Sequence, residues 1–377
     1  MIVGISGYVG NMLTGIGRVL IEVLDKMAPL DRKDEYILFK NFDFNDYNVL
    51  KKHSNIKLID IDVSKNSPFG NIIWHQWTFQ KMLKQYKCDV SYIPNFSLLL
   101  WKNIPTVVTI HDLIEYNVAN KFSKFRMLYR KIIDPLMVKN STFITTVSEC
   151  SKRDIVKFCN AKKNKVKVIT NAADRNRFQK YADGIVDNCL RKFNLVSKEY
   201  VLFVGTIDYP GKNIMFAIEG YERLRKNHNI NDKLVITGKD GFNAKAIYDY
   251  VNNSKFKDDI IFTGYISDED LPLLYCGAKV MIYLSFYEGF GLPVLEAMSC
   301  GTAVLSSNTS CFPEVIGDID VGVAPTDIDG IEKKLYKLVS DEGYNEKISK
   351  QCFERARQFS WSNSAKIYHE VFHQFVK

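Results

Sequence analysis

At 377 residues the chain is too long for one ordinary hydrophobic core and suits two domains. A 46% hydrophobic and 25% charged composition excludes a disordered or fibrous protein. No apolar run approaches the roughly 18–20 residues that span a bilayer, and Met1–Gly7 runs into a strand pattern without the basic start of a signal peptide, so a cytoplasmic protein is expected. Eight cysteines contain no C-x-x-C pair, which offers neither a zinc-ribbon nor a thioredoxin motif and predicts reduced thiols. The net charge of +8 is uneven: residues 1–180 carry 29 Lys and Arg against 16 Asp and Glu, and the remainder 22 against 27. A basic first half suits an anionic leaflet or a phosphorylated acceptor. Nucleic acid is not expected, because no groove-binding motif accompanies the charge.

In chain order, short apolar runs alternate with longer periodic stretches, the βαβ rhythm of helix-covered parallel sheets. Strands are predicted at Ile2–Ser6, Tyr36–Phe39, Lys57–Ile61, Val90–Ile93, Thr106–Ile110, Phe143–Val147 and Val166–Ile169. The rhythm restarts with Tyr200–Val204, Leu234–Thr237, Ile260–Thr263, Val280–Leu284 and Ala303–Ser306. Helices fill the gaps, for example Ile16–Lys26, Ser148–Phe158 and Ile214–Lys226, and beyond Gly330 the pattern is helical to the end. The fold class is α/β, with two doubly wound parallel-sheet domains over 1–175 and 176–357, and a C-terminal helix, 358–377, that either caps the second sheet or crosses back to the first.

The segment Ser285–Met298 carries the most chemistry. A strand ends at Leu284, a turn holds Gly289, Phe290 and Gly291, and a helix starts at Leu292-Pro293. Bare backbone at the positive end of a helix suits phosphate oxygens. Glu288 in the loop and Glu296 in the helix are placed to accept hydrogen bonds from hydroxyls on either side of a diphosphate, which describes a nucleotide sugar. The bland alternative is a solvated loop carboxylate and a helix-start carboxylate.

This segment resembles the E-x7-E signature of the retaining glycosyltransferases of family 4, which have the GT-B fold of two facing Rossmann-like domains. Thr14-Gly15-Ile16-Gly17-Arg18, Thr109–Leu113, Thr146–Glu149, Ile169–Asn171, Val204-Gly205-Thr206, Gly211-Lys212-Asn213 and Asn308–Gly317 also resemble family segments, in the family's order. The resemblance implies a retaining transfer in which Glu288 contacts the donor sugar and Glu296 the ribose. The amides near Leu292 hold the phosphates, and the base lies near Tyr265 and Ile266.

Lys212 is then the ammonium that neutralises the leaving diphosphate. The family commonly adds an arginine two residues after the strand or directly before the lysine, where this chain has Thr206 and Gly211; Thr206 is instead a candidate to offer its amide. Gly15 and Gly17 open the first helix near donor phosphates and acceptor, although a G-x-G is also an ordinary tight turn. His111, at the end of a strand, touches the donor sugar in the family and is expected to position or stabilise rather than act as a base. It could equally be a satisfied structural histidine.

Four acidic triplets, Asp60-Ile61-Asp62, Asp268-Glu269-Asp270, Asp318-Ile319-Asp320 and Asp327-Ile328-Asp329, have a spacing that can bridge a metal to phosphates. None adjoins a glycine loop, so a metal-independent reaction without cofactor is expected. The acceptor is expected to be a glycan or polyprenyl-linked chain, as in bacterial-type cell-surface polysaccharide synthesis. A nucleotide-sugar epimerase and a non-catalytic nucleotide-sugar binder are the competing readings.

The stretch Phe122, Phe125, Leu128, Tyr129, Ile132, Ile133 and Leu136 has helical spacing among Lys and Arg residues. It reads either as a helix lying on an anionic membrane or as a core-packed helix with a basic outer face. Trp74, Trp77 and Phe79, beside Lys81 and Lys84, form a second aromatic and basic neighbourhood.

Overall fold

The computed structural model describes residues 1–7, 15–42, 44–61, 68–95, 97, 100–119 and 121–376. Thr14 and Asp62, from the motifs above, lie outside them. By packing, the chain separates into two units: Met1–Tyr116, Phe125–Asn171 and Ser360–Lys377 form the first, and Asn117–Lys124 with Ala172–Phe359 the second.

The first unit holds strands β1 (Ile2–Gly7), β2 (Glu35–Lys40), β3 (Ile56–Asp60), β4 (Val90–Ile93), β5 (Thr106–Ile110), β6 (Phe143–Thr146) and β7 (Val166–Val168). They lie in the order β3-β2-β1-β4-β5-β6-β7, and every pair is parallel. The second unit holds β8 (Tyr200–Val204), β9 (Lys233–Thr237), β10 (Ile260–Gly264), β11 (Val280–Tyr283), β12 (Ala303–Ser307) and the two-residue β13 (Gly322–Val323). Their order is β10-β9-β8-β11-β12-β13, again all parallel. Central strands such as β5, β8 and β11 are buried along their whole length, because helices cover both faces of a parallel sheet.

Capping explains several sequence motifs. Ser148 accepts from the Ser151 amide at 3.1 Å and starts the helix Glu149–Cys159. Asp327 accepts from the Gly330 amide and starts Ile328–Ser340.

The last helix, Trp361–His373, belongs to the first unit and packs on the helix Gly15–Met27. Tyr368 and Phe372 set their rings 5.5 and 5.4 Å from that of Tyr92. The Tyr368 hydroxyl joins a buried network of Thr109, Thr145 and Tyr92, and Ser364 donates to the Thr170 carbonyl at 2.6 Å. Those polar partners are supplied by β4, β5, β6 and the segment after β7, which is why this helix returns to the first sheet.

The aromatic neighbourhood at 74–79 needs correcting. Trp74 and Phe79 are core residues that meet Phe39 edge-on, and of the three only Trp77 reaches the surface, beside Trp101.

The helix Lys124–Asn140 turns the other way. It buries Arg130, Asp134, Met137 and Val138, while Phe125 (81% exposed), Leu128 (60%) and Ile132 (54%) face outward with Tyr129. Arg130 pairs with Asp134 and Glu115 beneath it. The core-packed reading is therefore wrong for the Phe125, Leu128, Tyr129, Ile132 stripe.

Candidate active site

In the second sheet the strand order reverses between β8 and β11, and ligands of open α/β sheets bind beyond the strand ends at such a switch. Lys212 follows β8, and Glu288 follows β11. Lys212 Nζ donates to Glu288 Oε1 at 2.5 Å, and the Tyr283 hydroxyl donates to the same oxygen at 3.0 Å. Both charged side chains are mostly buried, 18% and 17% exposed. Burial works against the Glu288 carboxylate, but Lys212, helped by Lys121, overrides it and holds the carboxyl below its ordinary range. Burial likewise opposes the Lys212 charge, and Glu288 with Tyr283 keeps the ammonium protonated well above its usual value.

The surrounding loops are tied to one another. Ser285 Oγ donates to the Gly211 carbonyl at 3.1 Å, and buried Asn213 donates to the carbonyls of Leu284 and Pro325 at 2.9 and 2.7 Å. Asn213 holds φ at +56° as the residue before the helix Ile214–Asn227, a left-handed conformation that asparagine tolerates. Ser310 accepts from the Glu288 amide and donates to the Glu288 carbonyl. Asp208 accepts from the Lys212 amide at 2.8 Å and pairs with Lys121 Nζ at 3.3 Å.

Gly211 explains the departure from the arginine pattern. A Cβ there would collide with the Lys121 ammonium and stand 2.8 Å from Asp208 Oδ1. The space that an arginine side chain would leave from is filled by a lysine contributed from 117–124.

The remaining predicted donor residues lie along the same edge of the sheet or in the helix that starts there. Gly289 and Phe290 are buried, Phe290 against Phe359. Gly291 has φ +84° with Phe312 packed where a side chain would stand, and among the described residues no side chain caps the helix Leu292–Ser299 that follows. Glu296 is partly exposed and accepts from the buried Tyr275 hydroxyl at 3.1 Å. Thr206 is exposed after β8. Tyr265 is 59% exposed with Lys239 Nζ 4.4 Å from its ring centre, whereas Ile266 is buried beside it.

In the first unit, Gly15 begins its helix with no atom of the described residues within 4 Å of where a Cβ would stand, and Gly17 is buried in the first turn. His111 follows β5 and is buried, with Nε2 2.9 Å from the Pro94 carbonyl at the end of β4. A carbonyl only accepts, so Nε2 carries the proton and Nδ1 offers its lone pair. Burial lowers the ring's pKa to about 4, the Pro94 bond opposing only in part, so the ring is neutral at physiological pH.

Two families match in succession: Glycosyltransferase Family 4 over residues 14–177 and Glycosyl transferases group 1 over 190–358. The chain belongs to the family 4 glycosyltransferases. It is 29% identical to the O-antigen chain mannosyltransferase B of Escherichia coli over 366 residues, covering 93% of each protein. Among solved structures, a glycosyltransferase from Rickettsia africae has a TM-score of 0.77 at 18% identity, covering 100% of this chain and 98% of that one. Anabaena HepE, solved with UDP and glucose, has a TM-score of 0.75 at 15% identity, covering 99% and 100%. These likenesses give this glycosyltransferase the GT-B fold.

In the glycosyltransferase the acidic triplets have other partners. Asp60 pairs with Lys40, Asp268 with Arg177, Asp270 with Lys192, Asp320 with Lys334 and Asp329 with Arg223, and Asp327 is the helix cap described above. Sequence reasoning did not single out Lys121, Asp208, Tyr275 or Tyr283. Their residue types carry no signature, and only the fold brings them to the strand ends.

Proposed function

We propose that this glycosyltransferase moves a hexose, mannose in the first instance, from a nucleoside-diphosphate donor to a growing surface polysaccharide, with retention of configuration. The observation that carries this reading is the Lys212–Glu288 pair at the β8/β11 switch, with Glu296 in the helix that follows. The donor pyrophosphate draws the Lys212 ammonium away, which frees Glu288 to accept from sugar hydroxyls while Glu296 accepts from the ribose. Lys121 supplies a second positive charge where the family commonly has an arginine, and the amides at Leu292 complete the cradle. His111 offers its Nδ1 lone pair to a sugar hydroxyl. The departing phosphate takes the proton of the acceptor hydroxyl on the same face, and no metal or cofactor enters the step. The O-antigen mannosyltransferase relative supports mannose and a polysaccharide or polyprenyl-linked acceptor.

No described helix is long and apolar enough to cross a membrane. The outward stripe Phe125, Leu128, Tyr129 and Ile132, beside Lys124, Arg126 and Lys131, supports docking of the first unit on an anionic leaflet at the cytoplasmic face.

The test is to incubate the enzyme with GDP-, UDP- and dTDP-sugars, with and without a polyprenyl-linked glycan. Nucleoside diphosphate released quickly only with acceptor supports transfer. Sugar isomerised without acceptor would point to an epimerase, and no turnover with any donor and acceptor pair would point to a binder.

A further inference from the structure

The first unit contains a second cluster that the transfer reaction does not use. Asp34 precedes β2, and its carboxylate is buried. His369 and His373 stand one turn apart on the same face of the C-terminal helix. Their Nε2 atoms lie 2.9 and 2.7 Å from Asp34 Oδ2 and 3.1 Å from each other.

Proton counting shows that hydrogen bonds cannot explain this triangle. Oδ2 can only accept, so contacts to it need a proton on each Nε2. The contact between the two rings needs one Nε2 without a proton. Each Nε2 carries at most one, so all three edges cannot be hydrogen bonds together. A cation that accepts a lone pair from every corner satisfies all three.

We propose that Asp34, His369 and His373 bind a divalent transition-metal ion of the zinc class. Two imidazoles and one carboxylate form a borderline donor set suited to such an ion. Bonds of about 2.0–2.1 Å in a tetrahedron separate ligand atoms by roughly 3.3 Å, so each edge opens by only a few tenths of an ångström. The histidine side chains are 21% and 40% exposed, which leaves an open side for entry and for a water as fourth ligand. The ligands are braced as well. Asn55 donates to the carbonyls of Asp34 and Ala28 at 3.0 and 2.9 Å, and Asp34 Oδ1 lies 3.1 Å from the Met1 nitrogen.

The cluster sits at the N-terminal end of β2, whereas His111 follows the C-terminal end of β5. Those are opposite edges of one parallel sheet. The ion is therefore a staple that fastens the last turn of the C-terminal helix to the first sheet, separate from any role in sugar transfer.

Full-length protein stripped with a chelator is titrated with Zn2+ by calorimetry, with melting followed in parallel. One equivalent bound and a rise in Tm of several degrees are expected. The double variant H369A/H373A should lose that equivalent and that rise while keeping its far-ultraviolet circular dichroism and its transferase rate. Co2+ as a spectroscopic probe should give weak visible bands without a thiolate charge-transfer band. Absence of Zn2+ binding, equal binding by the double variant, or a thiolate band showing that the cysteines hold the ion would each overturn the proposal.

Discussion

Lys212 and Glu288 neutralise each other across β8 and β11 through a 2.5 Å ion pair that is mostly out of solvent. A pair of this kind is costly to break from one side, because the remaining charge stays poorly hydrated. Lys212→Ala should lower kcat by on the order of 10²–10³, the usual cost of losing one group that meets developing charge. It should also lower stability. Glu288→Gln should lower kcat too but cost less stability, since the amide oxygen still accepts from Tyr283. Steady-state kinetics with melting curves on both variants checks this, and two variants of wild-type rate would remove the site assignment.

Lys121 is the cation that packs over Gly211. If it grips the second phosphate, Lys121→Ala should weaken nucleoside diphosphate binding about tenfold, roughly 1.4 kcal/mol. It should change binding of the nucleoside itself little. Combining Lys121→Ala with Gly211→Arg removes the lysine contacts, leaves only the tip of the Asp208 side chain to shift, and returns a cation from the family's own position, so affinity should recover in part. Calorimetry with nucleoside and nucleoside diphosphate distinguishes this from a purely structural lysine, whose loss would leave diphosphate binding unchanged.

The extent to which the sequence announces this site follows from the physics of each signal. Both-face burial turns central strands such as β5, β8 and β11 into continuous apolar runs, and partly exposed strands such as β3 and β10 still carry apolar residues between turn signals, while the two residues of β13 have no period to detect. Glu288 and Glu296 stood out because glycine, proline and a preceding strand frame them. Lys121 carries no such frame, since it meets Gly211 only through the fold. The Trp74 to Phe79 stretch misled for a local reason. Its chain winds as a π-helix over Trp74–Thr78, which displaces the helical period and turns Trp74 and Phe79 inward although lysines follow them. The Lys124–Asn140 helix admits two readings in sequence for a related reason: its buried side is anchored by Arg130 and Asp134, so apolar character does not mark the inner face.

That outward apolar stripe predicts how the first unit meets lipid. Wild-type protein should sediment with vesicles containing anionic phospholipid at low salt and less at high salt, because the basic part is screened over about a Debye length. The double variant F125S/I132S should sediment poorly at either salt and keep its melting temperature, since neither side chain is in the core. Failure of the wild type to bind at low salt would remove the docking surface.

The buried histidines set the acid limit of stability. His111 and His75 are both held to pKa values of about 4, in each case because burial opposes the charged ring more than backbone acceptors favour it. An unfolded histidine titrates near 6.5. Between those values the unfolded chain binds the extra proton and the folded chain does not, so stability must fall as pH falls. The contribution is complete above about 6.5 and is lost progressively down to about 4, on the order of 3 kcal/mol for each ring by linkage. Asp25 acts in the same direction but lower, because its carboxyl is held to about 2; despite opposing burial, Lys26, Lys52 and His53 stabilise its charge. Asp134 acts oppositely. Burial raises it to about 7 against the pull of Arg130, so it favours the folded state increasingly as pH drops from 7 towards 4. The windows overlap, so the wild-type curve alone cannot separate them, but differences between variants can. His111→Gln should flatten the decline between pH 6.5 and 4, and Asp134→Asn should steepen it. Chemical denaturation at closely spaced pH values reads both slopes, and a His111→Gln curve parallel to wild type would mean that the ring titrates in the folded enzyme as it does in the unfolded chain.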